Sequence, residues 1–184
     1  KAIVTNDDSI GHAEPDFITI IDVASKTVES KIYVADRPMG LEISDDDRYV
    51  YVACYDDSMV QKADLETGMV VASVHLEGKP RYLKIAEGRL YVTCYNSNKL
   101  YDLSLEDLSI QREWVCGKEP TQMAYAYGKL YIVCQGVDFV QILNVESGNF
   151  LGTIRVGSTP KPILYNRHKD VIYVGNAGEG SCCI

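Results

Sequence analysis

Short apolar segments that end in polar turns recur along this chain at a nearly constant spacing. The clearest copy is Leu-Tyr-Val-Thr-Cys followed by Tyr-Asn-Ser-Asn, at positions 90–98. Related segments occur at 2–10, 50–58, 130–138 and 172–180. Cys54, Cys94 and Cys134 occupy the same place in three successive copies and lie 40 residues apart. A fixed period of this length predicts a repeat architecture.

Each repeat is predicted to contain four short strands. A proline opens the first strand in four of the repeats, at Pro38, Pro80, Pro120 and Pro160. A polar turn leads to the apolar second strand, which does not alternate, as expected for a sheet packed between two others. Two further strands follow, the outermost alternating between apolar and polar residues. Four antiparallel strands in about 40 residues are typical of a β-propeller blade.

The predicted fold is therefore all-β, with about 4 to 5 blades of a β-propeller in a single domain spanning 1–184. Three strands, at 2–6, 17–23 and 28–34, precede the complete repeats, and two strands, at 160–166 and 171–175, follow them. Such a set does not close neatly as four blades. The predicted blades cover 1–37 (incomplete), 38–77, 78–117, 118–157 and 158–184 (incomplete).

The repeat resembles the 40-residue YVTN-type β-propeller repeat, and the resemblance extends over essentially the whole chain. It is carried by Tyr-Val-Thr at 91–93, Tyr-Asp-Leu at 101–103, Gly-Lys-Glu-Pro at 117–120 and Ile-Ile-Asp-Val-Ala-Ser-Lys-Thr-Val at 20–28. The three middle copies depart from it, because Cys stands where the family has Asn. Members of that family typically have seven blades, which implies a polypeptide of about 280 residues.

We therefore expect this chain to be part of a seven-bladed propeller; the alternative is that two chains complete each other's ring. Terminal sheets that are not enclosed would expose strand edges and apolar faces, which favours self-association.

Composition narrows the range of partners and locations. A formal net charge of −8 argues against nucleic acid, because phosphate binding needs clustered Lys and Arg. No apolar run has the length of a membrane span. The six cysteines are predicted to be buried free thiols, since equivalent positions of stacked sheets lie too far apart for disulfides. Unpaired thiols favour a cytoplasmic location, while an extracytoplasmic one stays open if a signal peptide has been removed.

Two groups of residues are candidates for ligand binding. The first lies in the long loop at 7–16, since an insertion in one repeat often marks the binding face; it contains His12, Glu14 and Asp16. The second lies beside the prolines and at the ends of the second strands, where a propeller has its central funnel. Its members are Arg37, Tyr55, Arg81, Tyr95, Gln135 and Lys161.

No catalytic residue, metal site or cofactor is predicted. The three histidines do not fall in a metal-binding motif, and the chain has no C-x-x-C-H haem signature. The sequence favours a non-enzymatic scaffold or binding module that presents its loops and funnel to a protein or a small ligand. Two alternatives stay open: a metal-dependent lyase similar to the streptogramin-inactivating propellers, and a subunit of a multi-chain redox complex.

Overall fold

The computed structural model describes residues 1–6, 15–178 and 181–183, the last of these by their backbone only. Within these residues the chain forms 18 β-strands and a single 3-10 helix turn at Gln135–Val137. The strands, in chain order, are β1 Ala2–Asn6, β2 Phe17–Asp22, β3 Thr27–Tyr33, β4 Pro38–Ile43, β5 Tyr49–Cys54, β6 Met59–Asp64, β7 Met69–His75, β8 Pro80–Ala86, β9 Arg89–Cys94, β10 Lys99–Ser104, β11 Ile110–Val115, β12 Pro120–Ala126, β13 Lys129–Cys134, β14 Phe139–Asn144, β15 Phe150–Arg155, β16 Pro160–Asn166, β17 Val171–Asn176 and β18 Ser181–Cys183.

The strands form five antiparallel sheets in series, which confirms the predicted all-β class. Sheet I contains β1–β3, sheet II β4–β7, sheet III β8–β11, sheet IV β12–β15 and sheet V β16–β18. In each sheet, consecutive strands of the chain are neighbours. The prediction of only two strands after the last complete repeat was wrong, because Ser181–Cys183 pairs with β17 as a third strand.

The apolar second strands are buried because their two faces pack against different sheets. In β5, Val50, Val52 and Cys54 contact the core between sheets I and II. Tyr51 and Ala53, which point the other way, contact the core between sheets II and III. Successive side chains of a strand point to opposite faces, so a strand between two sheets must be apolar at every position.

A repeated hydrogen bond joins each of several sheets to the next. The residue that precedes the last strand but one of a sheet accepts a hydrogen bond from the backbone N–H of the residue that precedes the next proline. We call this contact the latch. It links Asp16 to Arg37 at 2.6 Å, Asn98 to Glu119 at 2.8 Å and Asp138 to Thr159 at 2.9 Å. Between sheets II and III, Ser58 stands in the acceptor position, and Lys79 N–H instead donates to Asn96 of its own sheet at 2.7 Å.

The threonine of the Tyr-Val-Thr segment also connects neighbouring sheets. Thr93 is fully buried, and its hydroxyl donates to the carbonyl oxygen of Thr121 at 2.8 Å. Thr5, at the equivalent place, donates to the carbonyl oxygen of Met39 at 3.2 Å. A buried carbonyl oxygen without a hydrogen-bond donor would lower the stability of the fold. The need for this donor explains why threonine occurs at this position of the segment.

Basic side chains join the sheets at the far edge, beyond the second strands. Lys62 Nζ donates to the carbonyl oxygen of Leu105 at 2.9 Å. Arg112 donates to the carbonyl oxygen of Val145, which is the equivalent residue of the next sheet, at 3.1 Å. Arg112 and Arg89 also both contact the carboxylate of Asp102, which is fully buried. The same acceptor position is therefore used at two successive interfaces.

Four of the cysteines confirm the prediction of buried free thiols. Cys54, Cys94, Cys116 and Cys134 are buried and unpaired, whereas the side chains of Cys182 and Cys183 lie outside the described residues. Burial raises the pKa of Cys54, Cys94 and Cys134 to about 12. Cys54 and Cys134 each approach the Oε1 atom of a glutamine seven residues later, at 3.8 and 3.9 Å.

The end sheets expose apolar side chains on the faces that turn away from their neighbours. In sheet I these include Val4, 44% exposed, and Tyr33, 57% exposed. In sheet V, Leu164 is 65% exposed. Among the described residues there is no helix with the length and apolar character needed to span a bilayer.

We predict that Asp138→Ala lowers the free energy of unfolding by about 1–2 kcal/mol, because Thr159 N–H loses its acceptor. Asp138 also has a positive φ of 53°, which asparagine tolerates better than alanine. Asp138→Asn is therefore the matched control and should lie close to the wild type. Urea unfolding of both variants measures the difference, and equal stability of the two would contradict the role of the latch.

We predict that the buried thiols resist alkylation. In a Cys182→Ser, Cys183→Ser variant, the four remaining thiols should react with iodoacetamide at pH 8 only after denaturation, as counted by intact mass. Since the folded pKa values lie near 12 and unfolded thiols titrate near 8.5, stability should fall as pH rises through this window. Rapid labelling of the native protein would contradict this arrangement.

Candidate functional site

The first strands of sheets II to V line a central cavity of about 520 Å³. Its walls include Tyr82 and Gln122, which stand at equivalent places in β8 and β12. Gly40 occupies that place in β4, and a Cβ atom there would lie 2.7 Å from the carbonyl oxygen of Arg81. The glycine therefore permits close approach of β4 and β8. One ion pair also lines the cavity, with Lys84 Nζ 2.8 Å from Glu42 Oε1.

Charged and aromatic residues gather where these first strands begin. In each sheet from II to V, the backbone N–H of the residue after the second strand donates to the residue before the proline, as Tyr55 does to Arg37 and Tyr95 to Lys79. This bond brings the two loop ends together beside the cavity. We call the resulting group the mouth cluster; it contains Arg37, Tyr55, Asp56, Lys79, Arg81, Tyr95 and Glu119.

One half of the mouth cluster is organised around Tyr55 and Asp56. The Arg37 guanidinium lies 5.0 Å from the centre of the Tyr55 ring and 3.6 Å from the Asp56 carboxylate. Lys79, from the next sheet, lies 5.8 Å from the same ring and 3.8 Å from the same carboxylate. The two cations thus share an aromatic face and a counter-charge, an arrangement that combines cation–π attraction with ion pairing.

The other half is organised around Tyr95. The Arg81 guanidinium lies 4.8 Å from the centre of the Tyr95 ring, and the Tyr95 hydroxyl donates to Glu119 of the next sheet at 2.9 Å. Partial burial raises the pKa of Tyr95, and the hydrogen bond to Glu119 raises it further. Tyr95 is therefore held as a neutral phenol.

Arg81 is directed to this position by an irregularity in its strand. The pairing of β8 with β9 shifts register between Pro80 and Tyr82, so that Arg81 is the bulged residue. Bulges commonly change the direction of a side chain beside a functional site. The equivalent shift occurs after the prolines of β4, β12 and β16.

Acidic residues flank the mouth cluster on the side of sheet I. The pKa of Asp36 is raised by desolvation, by a hydrogen bond with the Asp16 carboxyl group and by the charges of Asp56 and Asp57. Asp57 also accepts a hydrogen bond from the Asp36 backbone N–H at 2.8 Å. This flank repels anions, whereas Lys79 and Arg81 stand on the other side of Asp56.

The structure brings together four of the predicted site residues, Arg37, Tyr55, Arg81 and Tyr95. Gln135 follows in sheet IV at the place of Tyr95, and its enclosed Oε1 atom has no hydrogen-bond partner among the described residues. Lys161 is exposed at the start of β16. Asp16 is buried and serves the latch, while His12 and Glu14 lie outside the described residues.

Sequence reasoning did not select Asp56, Lys79 and Glu119 as site residues. Lys79 and Glu119 directly precede prolines, so the spacing of the repeat could have identified them alongside Arg37. Asp56 is one of several acidic turn residues, and its pairing with cations from two sheets depends on how those sheets are placed. Among the described residues, no group of three or more His, Cys, Asp or Glu side chains is placed to hold a metal ion.

No protein-family model matches the chain, and no curated protein sequence does. Solved structures do resemble it. Hydrazine synthase of Kuenenia stuttgartiensis aligns with a TM-score of 0.79 and 16% identity, over 86% of this chain and 49% of that one. The Cps50 (Swd1) β-propeller domain of Myceliophteria thermophila aligns with a TM-score of 0.74 and 12% identity, over 88% and 56% of the two chains.

A functionally unknown protein from Desulfotomaculum acetoxidans aligns with a TM-score of 0.74 and 12% identity, over 91% of this chain and 61% of that one. This chain thus spans between about half and three-fifths of the length of these structures. At such low identities the likeness shows the fold alone. The chain has a β-propeller fold of four-stranded antiparallel blades and matches about half of larger propellers.

Proposed function

We propose that this chain is a binding module that presents its mouth cluster and central cavity to a small ligand. The observation that carries the proposal is that Arg37, Tyr55, Arg81 and Tyr95 gather where the strands that line a cavity of about 520 Å³ begin. Ligand sites are typically concave, about 300–1,000 Å³ in volume, with apolar and aromatic walls and a few placed polar groups. The mouth cluster and cavity have this composition.

The backbone around the mouth supports a preformed site. Arg37 and Glu119 donate their N–H groups to the latch, so the loops that carry the mouth cluster are also held by contacts between sheets. Loops fixed in this way lose little further conformational entropy when a ligand binds. The hydrogen bonds that hold neighbouring blades together therefore also favour ligand binding at the mouth cluster.

A protein partner is the second candidate. It is favoured by the exposed turn residues that surround the mouth, among them Asp57, Asn96 and Lys118. A loop of another protein could contact this rim and reach the cavity at the same time.

We also infer that the repeat belongs to the YVTN type. The hydrogen bonds of the Thr5 and Thr93 hydroxyls to the neighbouring sheet support this narrower assignment, because they give the Tyr-Val-Thr segment a role at the blade interface. The copies with Ala53 or Val133 at the same place have no hydroxyl to make the bond.

To test the binding proposal, thermal unfolding would be followed with a panel of small organic acids, amines, nucleosides and sugars. A ligand at about 100 times its Kd stabilises the folded state by about 2.7 kcal/mol, which is a readily measured shift in Tm. We expect at least one saturable ligand, whose effect is lost in a Tyr55→Ala, Tyr95→Ala variant.

Tyr33→Ala is the matched control, because Tyr33 is 57% exposed on the outer strand of sheet I, away from the cavity. It should retain the response. A ligand response that survives in the double variant, or a panel without any saturable ligand, would contradict the proposal.

Self-association through the end sheets is a separate proposal, supported by the exposed apolar residues Val4, Tyr33 and Leu164. We expect light scattering to give a mass above the 20.5 kDa of one chain, increasing with concentration. Replacing Leu164 and Val4 by lysine should shift the distribution towards the monomer. A constant mass of one chain across concentrations would show that these faces do not associate.

A further inference from the structure

Arg81 differs from the other cations of the mouth cluster in having no counter-charge. Arg37 and Lys79 share Asp56, and Lys118, just outside the cluster, lies 3.6 Å from Glu119. Arg81 makes no ion pair with any described residue, and its Nε atom is enclosed without a hydrogen-bond partner. An arginine held in this state is an incomplete anion site, because guanidinium has five N–H donors and is always charged.

The Arg81 guanidinium lies close to two aromatic rings, and its terminal nitrogens have no partner among the described residues. Its guanidinium lies 4.8 Å from the centre of the Tyr95 ring and 5.8 Å from the centre of the Tyr82 ring. The Nε atom is enclosed, whereas the two terminal nitrogens are neither enclosed nor hydrogen-bonded to described residues. That edge has the fork geometry that matches the two oxygens of a carboxylate.

The balance of charge favours a carboxylate over a phosphate. Arg81 contributes one uncompensated positive charge, which one carboxylate neutralises. A phosphate dianion would leave a negative charge uncompensated near Glu119, which already faces Tyr95 at 2.9 Å. Burying an unpaired charge is costly, so the more highly charged ligand is disfavoured.

The cavity supplies room for the rest of such a molecule. Tyr82, the neighbour of Arg81 in β8, lines the cavity together with Gln122. An aromatic ring and an amide suit the body of a small organic acid, since they offer an apolar face and hydrogen-bonding groups.

We propose that Arg81 binds the carboxylate of a small organic acid whose body lies in the central cavity beside Tyr82 and Gln122. The proposal rests on the proposed binding function and names its ligand class. Arg81 acts as the anchor for the anion, Tyr95 holds the guanidinium in place, and the latch residues keep the loops in register.

The test is an NMR titration that observes the Nε–Hε resonance of Arg81, assigned by its loss in Arg81→Lys. The probes are benzoate, its neutral analogue benzyl alcohol, and inorganic phosphate. Benzoate should shift this resonance saturably. Its affinity should be about tenfold or more higher than that of either other probe, because a paired charge-assisted hydrogen bond contributes at least that factor more to the binding constant than a neutral hydrogen bond. Arg81→Gln should weaken benzoate binding by a similar factor.

Arg155→Gln is the matched control, since Arg155 is an exposed arginine on the outermost strand of sheet IV. It should bind benzoate as the wild type does. Equal affinity of benzoate for Arg81→Gln and the wild type would overturn the proposal, as would tighter binding of phosphate than benzoate at Arg81. In those cases a ligand response that still depends on Tyr55 and Tyr95 would leave the binding function standing. If no mouth resonance responded to any probe or panel ligand, both would be wrong.

Discussion

The structure depends on the packing of each central sheet between two others. A strand such as β5 is apolar at every buried position, so it has no face that could be left in water without a cost of about 25 cal/mol per Å² of apolar surface. Side-chain packing alone would allow neighbouring sheets to slide. The latch removes this freedom, because it joins a side chain of one blade to a backbone N–H group of the next.

This constraint also shapes the mouth of the cavity. Arg37, Glu119 and Thr159 precede the prolines with positive φ values of 56°, 56° and 54°, and their N–H groups are the latch donors. Non-glycine residues adopt this conformation only where the surrounding structure imposes it. The backbone that connects the blades therefore also fixes which side chains lie at the mouth of the cavity. The main-chain N–H groups of these residues stabilise the fold, while their side chains remain available to a ligand.

The 40-residue period made much of this predictable. It placed Tyr55 and Tyr95 at equivalent loop ends and Arg37 and Arg81 on either side of equivalent prolines, and such positions meet at one end of the first strands in a propeller. The strand Ser181–Cys183 was missed because three residues carry no detectable alternation. The pairing of Asp56 with Arg37 and Lys79 was missed because it depends on the relative placement of two sheets and on side-chain conformation. Neither can be derived from the pattern of a single repeat.

The positions at which one repeat differs from the others are the candidates for ligand binding. Equivalent positions in the first strands hold Gly40, Tyr82 and Gln122, and the bulge positions hold Arg81 in β8 and Thr121 in β12. Thr121 is almost fully buried and its carbonyl serves the interface, whereas the Arg81 side chain makes no hydrogen bond or ion pair with described residues. A partly buried charge without a counter-charge tends to be destabilising. This is the reason for proposing that a ligand completes the interactions of Arg81 at the mouth.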